Sequence, residues 1–182
     1  MPRLSVPPTA IDTWGSTPEE RADFYPCDDL IESSHPLFRA IDIDAPAPLV
    51  FRWLCQMRVA PYSYDWIDNF GRRSPQQLVD GLDDLEVGQR FMIFRLVSFE
   101  PGRSITLEST SPWFGHVAIT YDARPVEPAQ CRLVAKVLFV APRNLYGAVM
   151  QRVLPAGDLV MMRRQLLNFR DLAERDARAL VR

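Results

Sequence analysis

From Gly157 to Arg178 the chain reads GDLVMMRRQLLNFRDLAERDAR, with neither Gly nor Pro after its first residue. This stretch constrains the fold most. At ~1.5 Å per residue it predicts a helix roughly 33 Å long, about the width of a small domain. Leu159, Met162, Leu166, Phe169, Ala173 and Ala177 recur at steps of three and four, which places them on one helical face. Val160, Met161, Leu167 and Leu172 widen that face over the first half. So wide an apolar stripe must lie on something, and the chain before it is largely strand-like. The expectation is a sheet wrapped around a C-terminal helix.

Residues 1–36 are Pro-rich and aperiodic, and read as an arm laid over a domain of residues 37–182. Thr17-Pro18-Glu19-Glu20 is a capping box opening a short helix. Trp14, Phe24 and Tyr25 are too apolar for a free tail and are expected to anchor the arm. Leu37–Asp44 alternates as a strand. Pro46 and Pro48 then fit the first turn of a helix burying Leu49, Val50, Trp53, Leu54 and Met57. Tyr62, Tyr64, Trp66 and Phe70 follow, with Asp65 and Asp68 among them. Arg72–Leu82 reads as a short helix or turn.

From Val87 the period changes to two. Gln89–Glu100 and Arg103–Thr110 are strands joined by Pro101-Gly102, a hairpin signal. Phe114–Asp122 and Cys131–Ala141 continue an antiparallel meander. Asn144–Leu154 predicts a short separate helix, and Pro155-Ala-Gly-Asp158 a run-in that leaves Asp158 at the positive end of the long helix.

Composition excludes several functions. A net charge of −2 offers no global field for nucleic acid or anionic lipid. Two distant histidines and three scattered cysteines (Cys27, Cys55, Cys131) form no metal-ligand pattern and no disulfide framework. Phosphate-loop, dinucleotide and nucleophile-elbow signatures are missing. No signal core and no run of ~18 apolar residues occur, so a cytoplasmic location without membrane anchoring is expected.

The run Ile41-Asp-Ile-Asp-Ala-Pro-Ala-Pro48 leads into a helix carrying Phe51, Trp53 and Leu54. With Tyr62-Ser-Tyr-Asp-Trp66, Leu85-Glu-Val-Gly-Gln-Arg90 and Gly157-Asp-Leu-Val-Met-Met-Arg-Arg-Gln-Leu-Leu167, it resembles the START-like, or SRPBCC, helix-grip superfamily. That superfamily includes the polyketide cyclase/dehydrase and lipid transport domains. The resemblance covers about residues 37–178. It implies an α+β helix-grip fold: a curved antiparallel sheet of six or seven strands around the C-terminal helix, two short helices after the first strand, and a hydrophobic cavity between sheet and helix.

The ligand-binding candidates are Trp53, Tyr62, Tyr64, Trp66, Phe94, Arg95, Trp113, His116, Tyr121, Met162 and Leu166. Aromatic rings with polar handles suit a half-wet cavity wall. Arg95, between Phe94 and Leu96, is placed either inward to hold a carboxylate or outward by simple alternation. His116 is the available general base, yet its phase opposes Val117, Ile119 and Tyr121, which favours an outward ring. Asp65 and Asp68 fit acid/base work or helix capping, and His35 a surface position. No catalytic residue, metal or cofactor is assigned. The expected function is binding or carriage of a hydrophobic small molecule or lipid. The alternatives are a cyclase/dehydratase-like enzyme using a cavity His or carboxylate, and an interaction module, with a homodimer among the partners considered.

Overall fold

The computed structural model describes residues 9–32, 35–68, 71–112, 115–142 and 144–180. Seven strands form one sheet: β1 (Thr13–Trp14), β2 (Leu37–Ile43), β3 (Arg90–Phe91), β4 (Phe94–Glu100), β5 (Ser104–Ser111), β6 (Gly115–Glu127) and β7 (Gln130–Val140). Their spatial order is β1-β2-β7-β6-β5-β4-β3. Every pairing is antiparallel except β1 with β2. The helices are α1 (Pro18–Ala22), α2 (Ala47–Cys55), α3 (Asp65–Asp68) and α4 (Leu145–Leu180). This is the expected α+β helix-grip architecture, in its seven-stranded form.

Register explains how one sheet serves two apolar layers. Successive residues of a strand face opposite sides, and directly paired residues share a side. Leu37, Val137, Ile119, Leu107 and Leu96 therefore form one row across five strands. They belong to the main core together with Trp53 and Leu54 of α2 and Met162, Leu166, Phe169 and Leu172 of α4. On the other side Phe38, Ala40, Ala118, Val134 and Leu138 bury a second cluster with Tyr25, Cys27 and Ile31 of the N-terminal segment. Such a segment is what a sheet with two apolar faces requires.

That segment is held by polar contacts as well. Thr17 and Glu20 form the expected capping box, and the Glu20 carboxylate also accepts from Arg132 Nε at 2.7 Å. Lys136, the chain's sole lysine, pairs with Asp28 at 2.6 Å beneath the Tyr25 ring. Of the three expected anchors, Tyr25 is buried and Trp14 packs at the edge of the main core. Phe24 is 67 % exposed, because the chain turns at Asp23 and only its neighbour Tyr25 faces the sheet.

Two expectations are corrected, and one open alternative, short helix or turn at Arg72–Leu82, resolves to turn. Gln89–Glu100 is two strands, since the chain reverses at Met92 and Ile93 to pair β3 with β4. Arg72–Leu82 is turn and irregular structure, organised by Asp65, whose carboxylate accepts from the Ser74 amide at 2.8 Å. The two expected C-terminal helices are one helix of 36 residues, roughly 54 Å long. Asn144 starts it, its side chain accepting from the Gly147 amide at 2.7 Å. Pro155 lies inside. Proline's fixed φ suits a helix, and its missing donor leaves only the Gln151 carbonyl without its helical partner. Gln151 is exposed, so water can take that place. Asp158 is therefore mid-helix, away from the positive terminus where the sequence had put it. The first three turns of α4 leave Leu145, Val149 and Val153 exposed.

Candidate ligand-binding site

Between α4 and the concave face of the sheet lies a half-open cavity of about 330 Å³. Its apolar wall comes from Met92, Ile93 and Phe94 of the β3–β4 hairpin, Ile119 of β6, and Met161 and Met162 of α4. Spacings of three and four put Asp158, Met161, Met162 and Gln165 on one helical face. The period-two rule puts Ile119 and Tyr121 on one face of β6.

The polar groups converge from both layers. Arg39 and Tyr121 are each the register partner of Ala135, on its two sides. All three face inward, and the small alanine leaves room above it. Asp158 projects from α4 towards Arg39, Oδ2 to Nη2 2.8 Å. Tyr121 donates to Gln165 Oε1 at 2.7 Å, and Gln165 Nε2 donates to the Pro61 carbonyl at 2.6 Å. Asn168, one turn on, donates to the Tyr62 carbonyl at 2.7 Å. The helix thus fixes the loop that closes one end of the cavity.

Arg39 is wholly buried. Its Nη1 donates to the carbonyls of Asp12 and Phe38, and its Nη2 to that of Pro155 at 3.3 Å. The Asp158 side chain is 13 % exposed, at the cavity wall. Arg39 Nε makes no hydrogen bond and Asp158 Oδ2 is closed off from solvent, so the guanidinium meets the carboxylate through Nη2 alone rather than as a fork. Burial disfavours both charges. It pushes the Asp158 carboxyl from 3.8 up to about 6, against the opposing pull of the Arg39 charge. The same desolvation lowers Arg39, and burial raises the Tyr121 hydroxyl, helped by the nearby Asp158. The result is a largely apolar cavity with an ion-paired carboxylate at its polar end.

Of the residues singled out from the sequence, Phe94, Tyr121 and Met162 line this cavity. Trp53 and Leu166 are in the core beneath it. Tyr62 is buried between Trp53 and Phe169, with ring centroids at 5.9 and 5.4 Å, and its hydroxyl is without a partner. It lines a separate polar cleft against α4. Tyr64 is half-buried beside that loop and Trp66 is 75 % exposed. Arg95 and His116 are on the other side of the sheet: His116 Nε2 meets Glu108 Oε1 at 2.6 Å, and Arg95 is the register partner of Glu108. Trp113 lies outside the described residues. His35 lies 3.8 Å from Asp12.

Arg39 and Asp158 were absent from the sequence candidates. A signal for Arg39 existed: it shares the alternation phase of Leu37, Ile41 and Ile43. Asp158 had none, because its partner comes from the first long strand. Among the described residues no group of His, Cys, Asp and Glu could hold a metal ion. No helix there is long and apolar enough to cross a membrane.

Comparison with protein-family models found no match, and neither did comparison with curated proteins. Solved structures are similar at low identity. Protein CV1439 from Chromobacterium violaceum has a TM-score of 0.50 at 13 % identity, over 76 % of this chain and 97 % of that one. A START superfamily protein from Mycobacterium smegmatis has a TM-score of 0.46 at 14 % identity, over 80 % and 98 %. The di-domain ARO/CYC BexL of the BE-7585A biosynthetic pathway has a TM-score of 0.47 at 17 % identity, over 76 % of this chain. This chain spans 46 % of that protein's length.

Proposed function

We propose that the cavity between α4 and the sheet binds a hydrophobic small molecule or lipid that carries one hydrogen-bond donor. A single observation carries this reading: a largely apolar cavity is lined at one end by the Asp158 carboxylate, whose ion pair with Arg39 runs through Oδ2 alone. A ligand hydroxyl or amine that donates to this carboxylate would gain a charge-assisted hydrogen bond. A ligand carboxylate would meet like charge there. The apolar wall supplies affinity through area removed from water, and Tyr121 and Gln165 are already bonded to each other, so Asp158 sets orientation.

The test is native mass spectrometry of the purified protein with its organic extract. An apolar, hydroxyl- or amine-bearing compound is expected in wild type, and less of it in Met161→Trp, which fills the cavity from its wall. The same compound at the same stoichiometry in that variant would place it elsewhere and end this reading.

One observation favours a second reading, an enzyme of the cyclase or dehydratase kind. Asp158, pushed up to about 6, shares the cavity with the Tyr121 hydroxyl. A carboxylate of that basicity can take a proton from carbon while a hydroxyl stabilises the enolate. His116 has no part in it from the far side of the sheet. Under this reading wild type and Asp158→Asn would retain chemically different compounds; under the binding reading they would retain the same one in different amounts.

A further inference from the structure

We propose that Arg90 and Arg95 form a binding site for a phosphate-type oxyanion on the outer side of the sheet, distinct from the internal cavity. The β3–β4 hairpin pairs Arg90 directly with Arg95, so their side chains leave the sheet on the same side. Directly opposed like charges destabilise a sheet. A carboxylate between them would offset this, and register supplies Glu108 opposite Arg95. Glu108 is instead engaged by His116 at 2.6 Å. Neither guanidinium has an ion-pair or hydrogen-bond partner among the described residues, whereas Arg39, Arg103, Arg124 and Arg132 are all paired.

The two arginines line an open concavity of about 550 Å³ with Phe94, Ser109, Thr110 and Glu108. Two adjacent forks of N–H donors match the oxygens of one tetrahedral anion, which would screen their mutual repulsion. Glu108 is the one acid among the lining residues, and its contact with His116 draws it away. A free phosphate and a phospholipid headgroup present the same chemistry. The hairpin's tip carries Ile93, 66 % exposed, which also lines the mouth of the internal cavity. That gives the headgroup source a structural rationale.

The experiment uses amide NMR of the full chain at fixed ionic strength, titrated with inorganic phosphate. Sedimentation with phosphatidylcholine vesicles, with and without phosphatidylglycerol, forms the second arm. Arg90→Gln and Arg95→Gln are made separately, with Arg170→Gln as an exposed control. Saturable shifts centred on Arg90, Arg95 and Ser109 are expected, weakened roughly tenfold in either site variant and unchanged in the control. Shifts without vesicle binding assign a free phosphate. Binding to the anionic vesicles that both site variants lose assigns a headgroup. Absence of a saturable response to both probes, or responses that both site variants retain, overturns the site. None of these outcomes depends on what the internal cavity holds.

Discussion

The Arg39–Asp158 pair sets burial against charge attraction, and Asp158→Asn measures which wins. In the folded protein burial raises the carboxyl from 3.8 to about 6 even with Arg39 beside it. The folded state therefore binds the Asp158 proton more tightly than the unfolded chain does. Where the folded state holds more protons, stability falls as pH rises. The contribution of Asp158 is thus greatest below pH ~4 and is lost as pH passes through about 6. A rise from 3.8 to about 6 corresponds to about 3 kcal/mol across the window. The asparagine variant has no group titrating there, and the rest of the molecule cancels in the difference. Urea denaturation at a series of pH values, read by tryptophan fluorescence, gives both stabilities. Wild type should lose about 2–3 kcal/mol relative to the variant between about pH 4 and about pH 7. A flat difference would refute the reasoning. So would a wild type that gains as pH rises, because Arg39 would then outweigh the desolvation of its partner.

Other substitutions test the frame around the site. Leu166→Ala empties a fully buried position between α4 and the sheet, and should cost about 2–5 kcal/mol in denaturant unfolding. Pro155→Ala restores a donor for the Gln151 carbonyl and removes a helix breaker, so thermal unfolding should shift upward, by up to ~3 kcal/mol in stability. Gly15→Ala should destabilise by more than ~1 kcal/mol. Gly15 has φ +74, and an added Cβ would collide with the Ala40 carbonyl, so β1 must leave β2. Exchange of the Phe38 amide, which donates to the Asp12 carbonyl at 2.6 Å, would report that loss.

The parts of the fold that could be read from the sequence are those with one dominant period. The second half of α4 announces itself through Met162, Leu166, Phe169 and Ala173, all buried as spaced. The meander does so through alternation and Pro101-Gly102. The first half of α4 hid behind Pro155-Ala-Gly, where local breakers were outweighed by a helix capped at Asn144 and anchored through Arg39. The reversal at Met92 and Ile93 carries neither Gly nor Pro, and Met92 adopts φ +54, a conformation that sequence statistics seldom assign to methionine. The phase of His116 against Val117 and Ile119 foretold its outward position. Arg39 could have been found by the same argument applied to Leu37–Ile43, where an inward arginine demands a buried acid. The identity of that acid could not, because a long-range pair leaves no local pattern.

The central claim is that the space under Asp158 receives an apolar ligand. Methionine methyl groups sample it directly: Met92, Met161 and Met162 line the cavity, while Met150 sits on the projecting half of α4. With ¹³C-methyl-labelled methionine, NMR titration with a medium-chain alkanol should shift Met92, Met161 and Met162 together and saturably. Met150 should stay fixed, and Asp158→Leu should weaken the binding. A cavity set that does not move, or movement confined to Met150, would contradict the account.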